Sequence, residues 1–552
     1  MQETIRKYAL ENAVKFKGRA NPGAIIGKLI QENPENKEKI KELQSIIQKI
    51  VKEVNSMAPE EQKKSLKDIA PEMFEKKEKA ERNIFAFLRI KEGDKVVTAF
   101  PPGPEKYPHI GHAKAILLNY LLAKQYDGKF ILRFEDTNPT LVKDKFYKIM
   151  LEDFEWLGVK WDELIYASDY MDLFYSHAQK LIEEGKAYMC SCTAEKMSEL
   201  RKKGIACACH AKSVKENIDD WRKFEALKPG ESILRLKIDM EHKNSTMRDP
   251  AIFRIIEHAH ARQGVKYRIW PTYDFQNAIM DGKTGVTHRL RSKEFEMRNE
   301  LQRHIQKLLG YKETNIYEIA RFNLEGVESS GRKIREKIDN NELIGWDDPT
   351  LTTIRALKRR GFLPKAIADF VISTGISKSE STLTWDDFII YNRRLLDANA
   401  DRYFFVKDPV LIKIQGAPKV TIRHDIHPDY PMRGERVMKS HELFYISKKD
   451  YDALAQGQLY RLMDCLNFTK QGNNLVFDSV KYDKEKKPKI LHYLPKSDEL
   501  MEAEIMKPDK SIDKGLVEPN NIETNQVVQF ERYGFCRLDD REDVLKFWFT
   551  HQ

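Results

Sequence analysis

The chain of 552 residues carries 95 Lys and Arg against 85 Asp and Glu, a formal net charge of +10, and only six cysteines. A length of this order supports several domains with cores of their own and excludes a small scaffold stapled by disulfides. No stretch long enough to span a bilayer is free of charge, and the opening Met1-Gln2-Glu3-Thr4-Ile5-Arg6-Lys7 lacks the apolar region of a secretory signal, so the chain is expected to be cytoplasmic and to stay off membranes. The basic excess permits a polyanionic partner without requiring one.

Residues 1–92 read as an N-terminal helical module. Ile40, Leu43, Ile46, Ile47, Ile50, Val51 and Val54 recur at helical spacing between Lys and Glu residues, the pattern of a core-facing stripe. The run Glu72-Met73-Phe74-Glu75-Lys76-Lys77-Glu78-Lys79 reads as a solvated helix leading into the next domain.

From 93 the pattern alternates: strand 96–100, helix 112–126, strand 130–135, helix 140–157, a strand near 164–167 and helix 170–185. That alternation predicts a parallel, doubly wound α/β sheet, with residues 93–190 as its first half. Residues 191–250 are irregular and charged and read as an insertion. Residues 251–345 form the second half, with strands expected at 252–256 and 286–291. A helical connecting segment follows over 346–400. From 401 to 552 short alternating stretches such as Val410-Leu411-Ile412-Lys413-Ile414 and Val527-Val528-Gln529-Phe530 predict one or two β-barrels.

Three groups of residues carry chemistry. The stretch Phe100-Pro101-Pro102-Gly103-Pro104-Glu105-Lys106-Tyr107-Pro108-His109-Ile110-Gly111-His112 joins a buried strand to an apolar-faced helix. A helix N-terminus there offers free N–H groups and a favourable dipole to an anion, Gly111 permits close approach, and His109 and His112 can donate to phosphate oxygens. The strand at 130–134 ends in Glu135 and Asp136, at the strand end where open α/β sheets bind ligands; a turn cap is the plainer role for Asp136. Ser329-Ser330-Gly331-Arg332-Lys333-Ile334-Arg335 reads as a flexible basic loop able to close over phosphates. Separately, Cys190, Cys192, Cys207 and Cys209 form two short pairs able to hold a structural zinc, with His210 as an alternative fourth ligand, while Cys465 and Cys536 read as core.

The His109-Ile110-Gly111-His112 turn is similar to the His-Ile-Gly-His signature of class I aminoacyl-tRNA synthetases. The Ser329 to Arg335 segment resembles the Lys-Met-Ser-Lys-Ser loop of that class in the shortened form found in archaeal enzymes. With residues 132–139, Trp270-Pro271-Thr272-Tyr273-Asp274-Phe275, Gly285-Val286-Thr287-His288 and Gly345-Trp346-Asp347-Asp348-Pro349, the resemblance to archaeal-type glutamyl-tRNA synthetases, in the glutamyl/glutaminyl branch, extends over nearly the whole chain. It implies a Rossmann-like class I catalytic domain with an acceptor-stem insertion, and a β-barrel anticodon-binding region. It also implies a monomer that activates L-glutamate with ATP and Mg2+ and charges tRNA-Glu, with tRNA-Gln as a further acceptor.

The same resemblance implies roles. His109, His112 and Lys333 serve catalysis, and His109, Gly111, His112, Ser292, Arg332 and Lys333 bind ATP. Glu135 takes the substrate ammonium, Tyr273 lines the amino-acid pocket, and Arg291 offers its guanidinium fork to the γ-carboxylate where glutaminyl enzymes carry a small uncharged residue. An ordinary salt bridge to Glu294 or Glu296 is the alternative for Arg291. Two departures from the pattern stand out: Ala99 replaces a usual arginine before Phe100, and Glu105-Lys106 replaces a Ser-Gly or Thr-Gly. Ala99 is the best argument for one rival reading, a tRNA-binding paralogue without catalysis; the other rivals are a glutaminyl-tRNA synthetase and a small-molecule nucleotidyltransferase of related fold.

Overall fold

The computed structural model describes residues 2–15, 18–32, 36–70, 83–328, 330–380, 382–483 and 485–552, and the chain divides into two compact units, Met1–Asn83 and Ile84–Gln552. In the first, helices α1 (Gln2–Lys15), α2 (Pro22–Glu32), α3 (Asn36–Ser56) and α4 (Pro59–Ile69) pack around Ile5, Ala9, Ile25, Leu29, Ile47, Val51 and Val54. The predicted stripe on α3 thus faces the core, with Leu43 and Ile46 at its edge. The side chain of Ile40 and the charged run at 72–79 lie outside the described residues.

The second unit is organised by a five-stranded parallel sheet. Its strands β1 (Val97–Phe100), β2 (Lys129–Phe134) and β3 (Glu163–Tyr166) alternate with helices α5 (Ile110–Gln125), α6 (Asp144–Trp156) and α7 (Met171–Glu183). After the insertion come α10 (Tyr273–Thr284), β8 (His288–Ser292), α11 (Glu296–Leu308) and β9 (Asn315–Ile319), and the strand order is β3-β2-β1-β8-β9. The sheet is buried on both faces: every residue of β1, and every residue of β2 after Lys129, is buried. Phe100, Leu132 and Phe134 point into a core with α5 and α6, whereas Val97, Ala99 and Ile131 point into one with α7, α10 and α11. The order reverses between β1 and β8, so the crevice at the carboxyl ends of those two strands is the place where such a sheet receives a ligand.

The insertion builds its own antiparallel sheet from β4 (Ala187–Cys190), β5 (Ile233–Leu236), β6 (Ala251–Ile255) and β7 (Ile269–Pro271), with helices α8 (Ala194–Lys203) and α9 (Val214–Lys223). Here the expectation for 252–256 is corrected. That strand pairs with β5 and β7 rather than resuming the parallel sheet, which resumes only at β8. Helices α12 (Gly331–Asp339), α13 (Ile354–Arg360), α14 (Pro364–Thr374) and α15 (Trp385–Asn399) form the connecting segment. Beyond it the chain is sheet-rich, as expected: two seven-stranded sheets, with apolar cores around Phe404, Ile414, Tyr460 and Phe468 and around Ile505, Phe530 and Phe547. Among the described residues no helix is long and apolar enough to cross a membrane.

Candidate active site

The His109 turn sits at the carboxyl end of β1, with His109 as N-cap of α5 and His112 inside its first turn. The helix therefore begins two residues earlier than its apolar pattern suggests. The imidazoles close a reciprocal cap: the Gly111 N–H donates to Nδ1 of His109 at 3.0 Å, and the His109 N–H donates to Nδ1 of His112 at 3.2 Å. Both Nδ1 atoms are acceptors, so in each neutral ring the proton resides on Nε2, which is left as a donor. Burial, followed by the positive charges of Lys106 and Arg321, pulls His109 down to about 4, and burial, with His109 and Lys106 beside it, holds His112 well below the ordinary value. Gly111 is needed for a reason the sequence did not disclose: a Cβ there would lie 2.8 Å from Cε1 of His109. The space it leaves holds the capping imidazole.

This turn is held from the connecting segment. The Ile110 N–H donates to the Thr352 carbonyl and the Ile354 N–H to the Pro108 carbonyl, each at 2.9 Å, and Tyr107 stacks on Trp346 with centroids 5.0 Å apart.

A cavity of about 980 Å³ opens at the sheet's switch point. It brings together His109, Gly111 and His112 from the turn, Glu135 from the end of β2, Tyr273 from the start of α10, and Arg291 and Ser292 from the end of β8. Ser330 and Gly331 also line it, but Arg332 and Lys333 do not. The segment expected to be a flexible loop is helical from Gly331 onward, because Ser330 caps α12 by accepting from the Lys333 N–H and Ile334 is buried beside Leu351 and Ala356. Arg332 pairs with Glu336 at 2.9 Å, and Lys333, 67% exposed, lies 3.8 Å from Glu328.

Glu135 is held at both oxygens. Arg133, fully buried, donates from Nε to Oε1 at 2.9 Å, and Gln276 donates to Oε2. Arg133 also pairs with Asp281 at 2.8 Å, and Asp281 with Arg289 at 2.6 Å, so two buried carboxylates meet two buried guanidiniums in one array. Asp136 faces elsewhere: it accepts from the hydroxyls of Tyr147 and Ser168 and from the Ser168 N–H, a turn-stabilising role.

Among the described residues Arg291 is a buried cation with no carboxylate in ion-pair reach and no partner for its Nε. Its Nη1 donates to Gln302 Oε1 at 2.8 Å and its Nη2 to the Tyr273 hydroxyl at 3.0 Å. Its carbon lies 4.5 Å from the centroid of the Phe295 ring. The alternative of a salt bridge to Glu294 or Glu296 is not realised: Glu294 pairs with Arg321 and Glu296 with Lys378. Burial pulls the guanidinium below its ordinary value. A charge in that setting needs an anion to compensate it.

The four cysteines of the insertion gather with all sulfurs within 4.8 Å of one another, Cys190 to Cys207 at 3.9 Å and Cys192 to Cys209 at 4.0 Å. A tetrahedral zinc with Zn–S bonds of about 2.3 Å places its sulfurs roughly 3.8 Å apart. The thiols fit that ion, and none is joined in a disulfide. His210 stands outside the set, since its Nδ1 is bound to Asp249 at 2.7 Å.

Comparison with known proteins agrees with the geometry. Residues 95–398 match the family model of the catalytic domain of class I tRNA synthetases for E and Q. Residues 400–482 and 468–539 match the two anti-codon binding domain models of the same group. A glutamate–tRNA ligase of Pyrococcus abyssi is 42% identical over 555 residues, covering 97% of this chain and 97% of that protein. One of Pyrococcus furiosus is 42% identical over 563 residues, covering 98% of each. One of Methanothermobacter thermautotrophicus is 37% identical over 557 residues and covers the whole of both.

Proposed function

The chain belongs to the class I tRNA synthetases for glutamate and glutamine, and within that family we propose that it acts on glutamate: it is a glutamate–tRNA ligase that activates L-glutamate with ATP and transfers it to the 3′-terminal adenosine of tRNA-Glu. The observation that carries the choice of amino acid is Arg291, a buried guanidinium on the cavity wall whose hydrogen bonds, among the described residues, all go to neutral acceptors. A γ-carboxylate compensates that charge, and the amide of glutamine does not.

In the first step an oxygen of the glutamate α-carboxylate forms a bond to the α-phosphorus of ATP, and pyrophosphate leaves with the electron pair of the broken P–O bond. In the second, a ribose hydroxyl of the terminal adenosine attacks the acyl carbon and AMP leaves. Neither step calls for a covalent bond to the protein. The chain's part is positioning and electrostatic stabilisation. Glu135, fixed by Arg133 and Gln276, receives the ammonium. The Nε2–H donors of His109 and His112 and the N-terminus of α5 receive phosphate oxygens, with magnesium escorting the nucleotide. Ser292, on the cavity wall at the end of β8, contributes to the ATP site. Lys333 and Arg332, on the exposed first turn of α12 and outside the cavity lining, bring positive charge to the leaving pyrophosphate when that turn moves over the cavity. Cys190, Cys192, Cys207 and Cys209 hold a structural zinc that ties α8 and the turn before α9 to β4.

The test is ATP–pyrophosphate exchange in the presence of tRNA-Glu, with glutamate and glutamine compared. Exchange with glutamate at least about 100-fold more efficient is expected, because the amide of glutamine leaves the buried guanidinium uncompensated. Equal exchange with glutamine would remove the argument from Arg291.

A further inference from the structure

Glutamate brings three charged groups into the cavity, and the reading above assigns two of them: the ammonium to Glu135 and the γ-carboxylate to Arg291. The α-carboxylate is the nucleophile. It must be drawn toward a triphosphate that repels it, and a planar bidentate cation does this best because it neutralises both oxygens while fixing their plane.

The guanidiniums lining the cavity are those of Arg254, Arg289, Arg291, Arg298 and Arg321. Arg289 is bound by Asp281 at 2.6 Å, Arg298 by Asp274 at 2.5 Å, and Arg321 by Glu294. Ala99, at the end of β1, contributes no charge. Lys114 is buried and gives its ammonium to the Ala320 carbonyl at 3.1 Å, with the Phe322 ring beneath it. Arg254 is different. It is exposed, and among the described residues its side chain makes no ion pair or hydrogen bond, although it borders the cavity.

Strand register explains the placement. In β6 the neighbours Phe253 and Ile255 are buried, so alternation turns Arg254 to the opposite face. Arg254 lies opposite Trp270 in β7, and β7 runs through Pro271 directly into Tyr273, whose hydroxyl holds Arg291. One short strand therefore connects the free guanidinium to the one already facing the pocket.

We propose that Arg254 binds the α-carboxylate of glutamate, orienting its two oxygens before one of them bonds to the α-phosphorus and pyrophosphate departs with the electrons of the broken bond. The inference rests on the reading of this cavity as the site of glutamate activation. Once the adenylate forms, the carboxylate charge is gone, so Arg254 acts on binding and alignment of the free amino acid.

The experiment uses the full chain and the variants Arg254→Met and Arg254→Lys. Exchange is measured with tRNA-Glu against glutamate concentration, and inhibition is measured with 4-aminobutyrate, which is glutamate without its α-carboxylate. In Arg254→Met the KM for glutamate should rise roughly 10- to 100-fold, the range of a lost charge-assisted pair. The inhibition constant of 4-aminobutyrate should stay within about twofold, well under a single charge-assisted contact, and Arg254→Lys should fall between. Equal weakening of glutamate and 4-aminobutyrate would overturn the proposal, because the loss would then be general to the pocket. So would an unchanged KM for glutamate with a raised KM for tRNA and a shallower salt dependence, which would assign Arg254 to a phosphate of the acceptor end. A wild-type chain inactive with glutamate would instead bring down the reading of the site on which this inference depends.

Discussion

The hydroxyl of Tyr273 accepts a hydrogen bond from Nη2 of Arg291 at 3.0 Å, and this contact aims the one buried guanidinium of the cavity that has no carboxylate in ion-pair reach among the described residues. On its other side Gln302 accepts from Nη1 while its own amide donates to Asp274, so the fork is gripped by neutral groups whose orientation is fixed in turn. Tyr273→Phe keeps the ring and removes the grip. The expected result is a fall in kcat/KM for glutamate of roughly 10- to 100-fold, the range for a hydrogen bond to a charged group, with the KM for ATP unchanged. Steady-state exchange kinetics check both.

Removing the charge itself is more severe. Arg291→Gln leaves a bound γ-carboxylate buried without its cation, a loss of about 3–5 kcal/mol in comparable pairs, or on the order of 150- to 5,000-fold in kcat/KM. Glutamine should be affected far less. Measuring both amino acids on the same variant separates lost recognition from lost folding.

The imidazole pair fixes a pH dependence. His109 folds with its protonation point at about 4, below the free-histidine value, chiefly through burial. Protonation therefore favours the unfolded chain: the stabilising contribution is complete above about pH 6.5 and is lost as pH falls toward 4. Exchange activity should show no inflection in the ordinary histidine range, since a proton on Nδ1 would have to break the cap from Gly111. A pH–rate profile over about 5.5 to 8 brackets the unperturbed value of about 6.5, and an acid limb near that value would contradict this expectation.

The cysteine cluster makes a stoichiometric prediction. Elemental analysis of the purified chain should find about one zinc per molecule. Cys207→Ser, which removes a buried ligand, should lose the metal and melt the insertion at lower temperature, while amino-acid exchange at the parallel sheet is affected less than tRNA charging. Metal content unchanged in that variant would refute the assignment.

At the far end of α13, Arg359 joins the connecting segment to the C-terminal sheets, reaching Asp347 at 2.7 Å and Asp539 at 2.8 Å while lying 4.2 Å from the centroid of Trp548. Arg359→Met should reduce global stability by about 1–3 kcal/mol, as for two charge-assisted bonds at a part-exposed site. Denaturant unfolding measures it directly.

Much of the site was readable because its signals are local. The His109 turn needs only a strand, a glycine and a helix in succession, and the four cysteines lie in one window. Glu135 was readable as a carboxylate at a strand end, but not the array that holds it. Arg133 sits inside an otherwise apolar strand, and a buried arginine there demands carboxylates whose position only the fold supplies; Gln276 reaches Glu135 from 141 residues away. The segment after Ser329 was misread because serines and a glycine suggest a loop, although Ser330 followed by Ile334 and Ile338 is the pattern of a capped helix. Strand β6 was placed in the wrong sheet for a simpler reason: a short buried strand reads the same whether its partner runs parallel or antiparallel.

The account is tested most directly by ATP-dependent attachment of labelled amino acid to separate tRNA-Glu and tRNA-Gln transcripts, glutamate and glutamine in parallel. It predicts glutamate on tRNA-Glu and no glutamine on either transcript; glutamate on tRNA-Gln as well would show a relaxed reading of the anticodon by the C-terminal sheets. Glutamine attached in place of glutamate, or tRNA bound with neither amino acid attached, would contradict it.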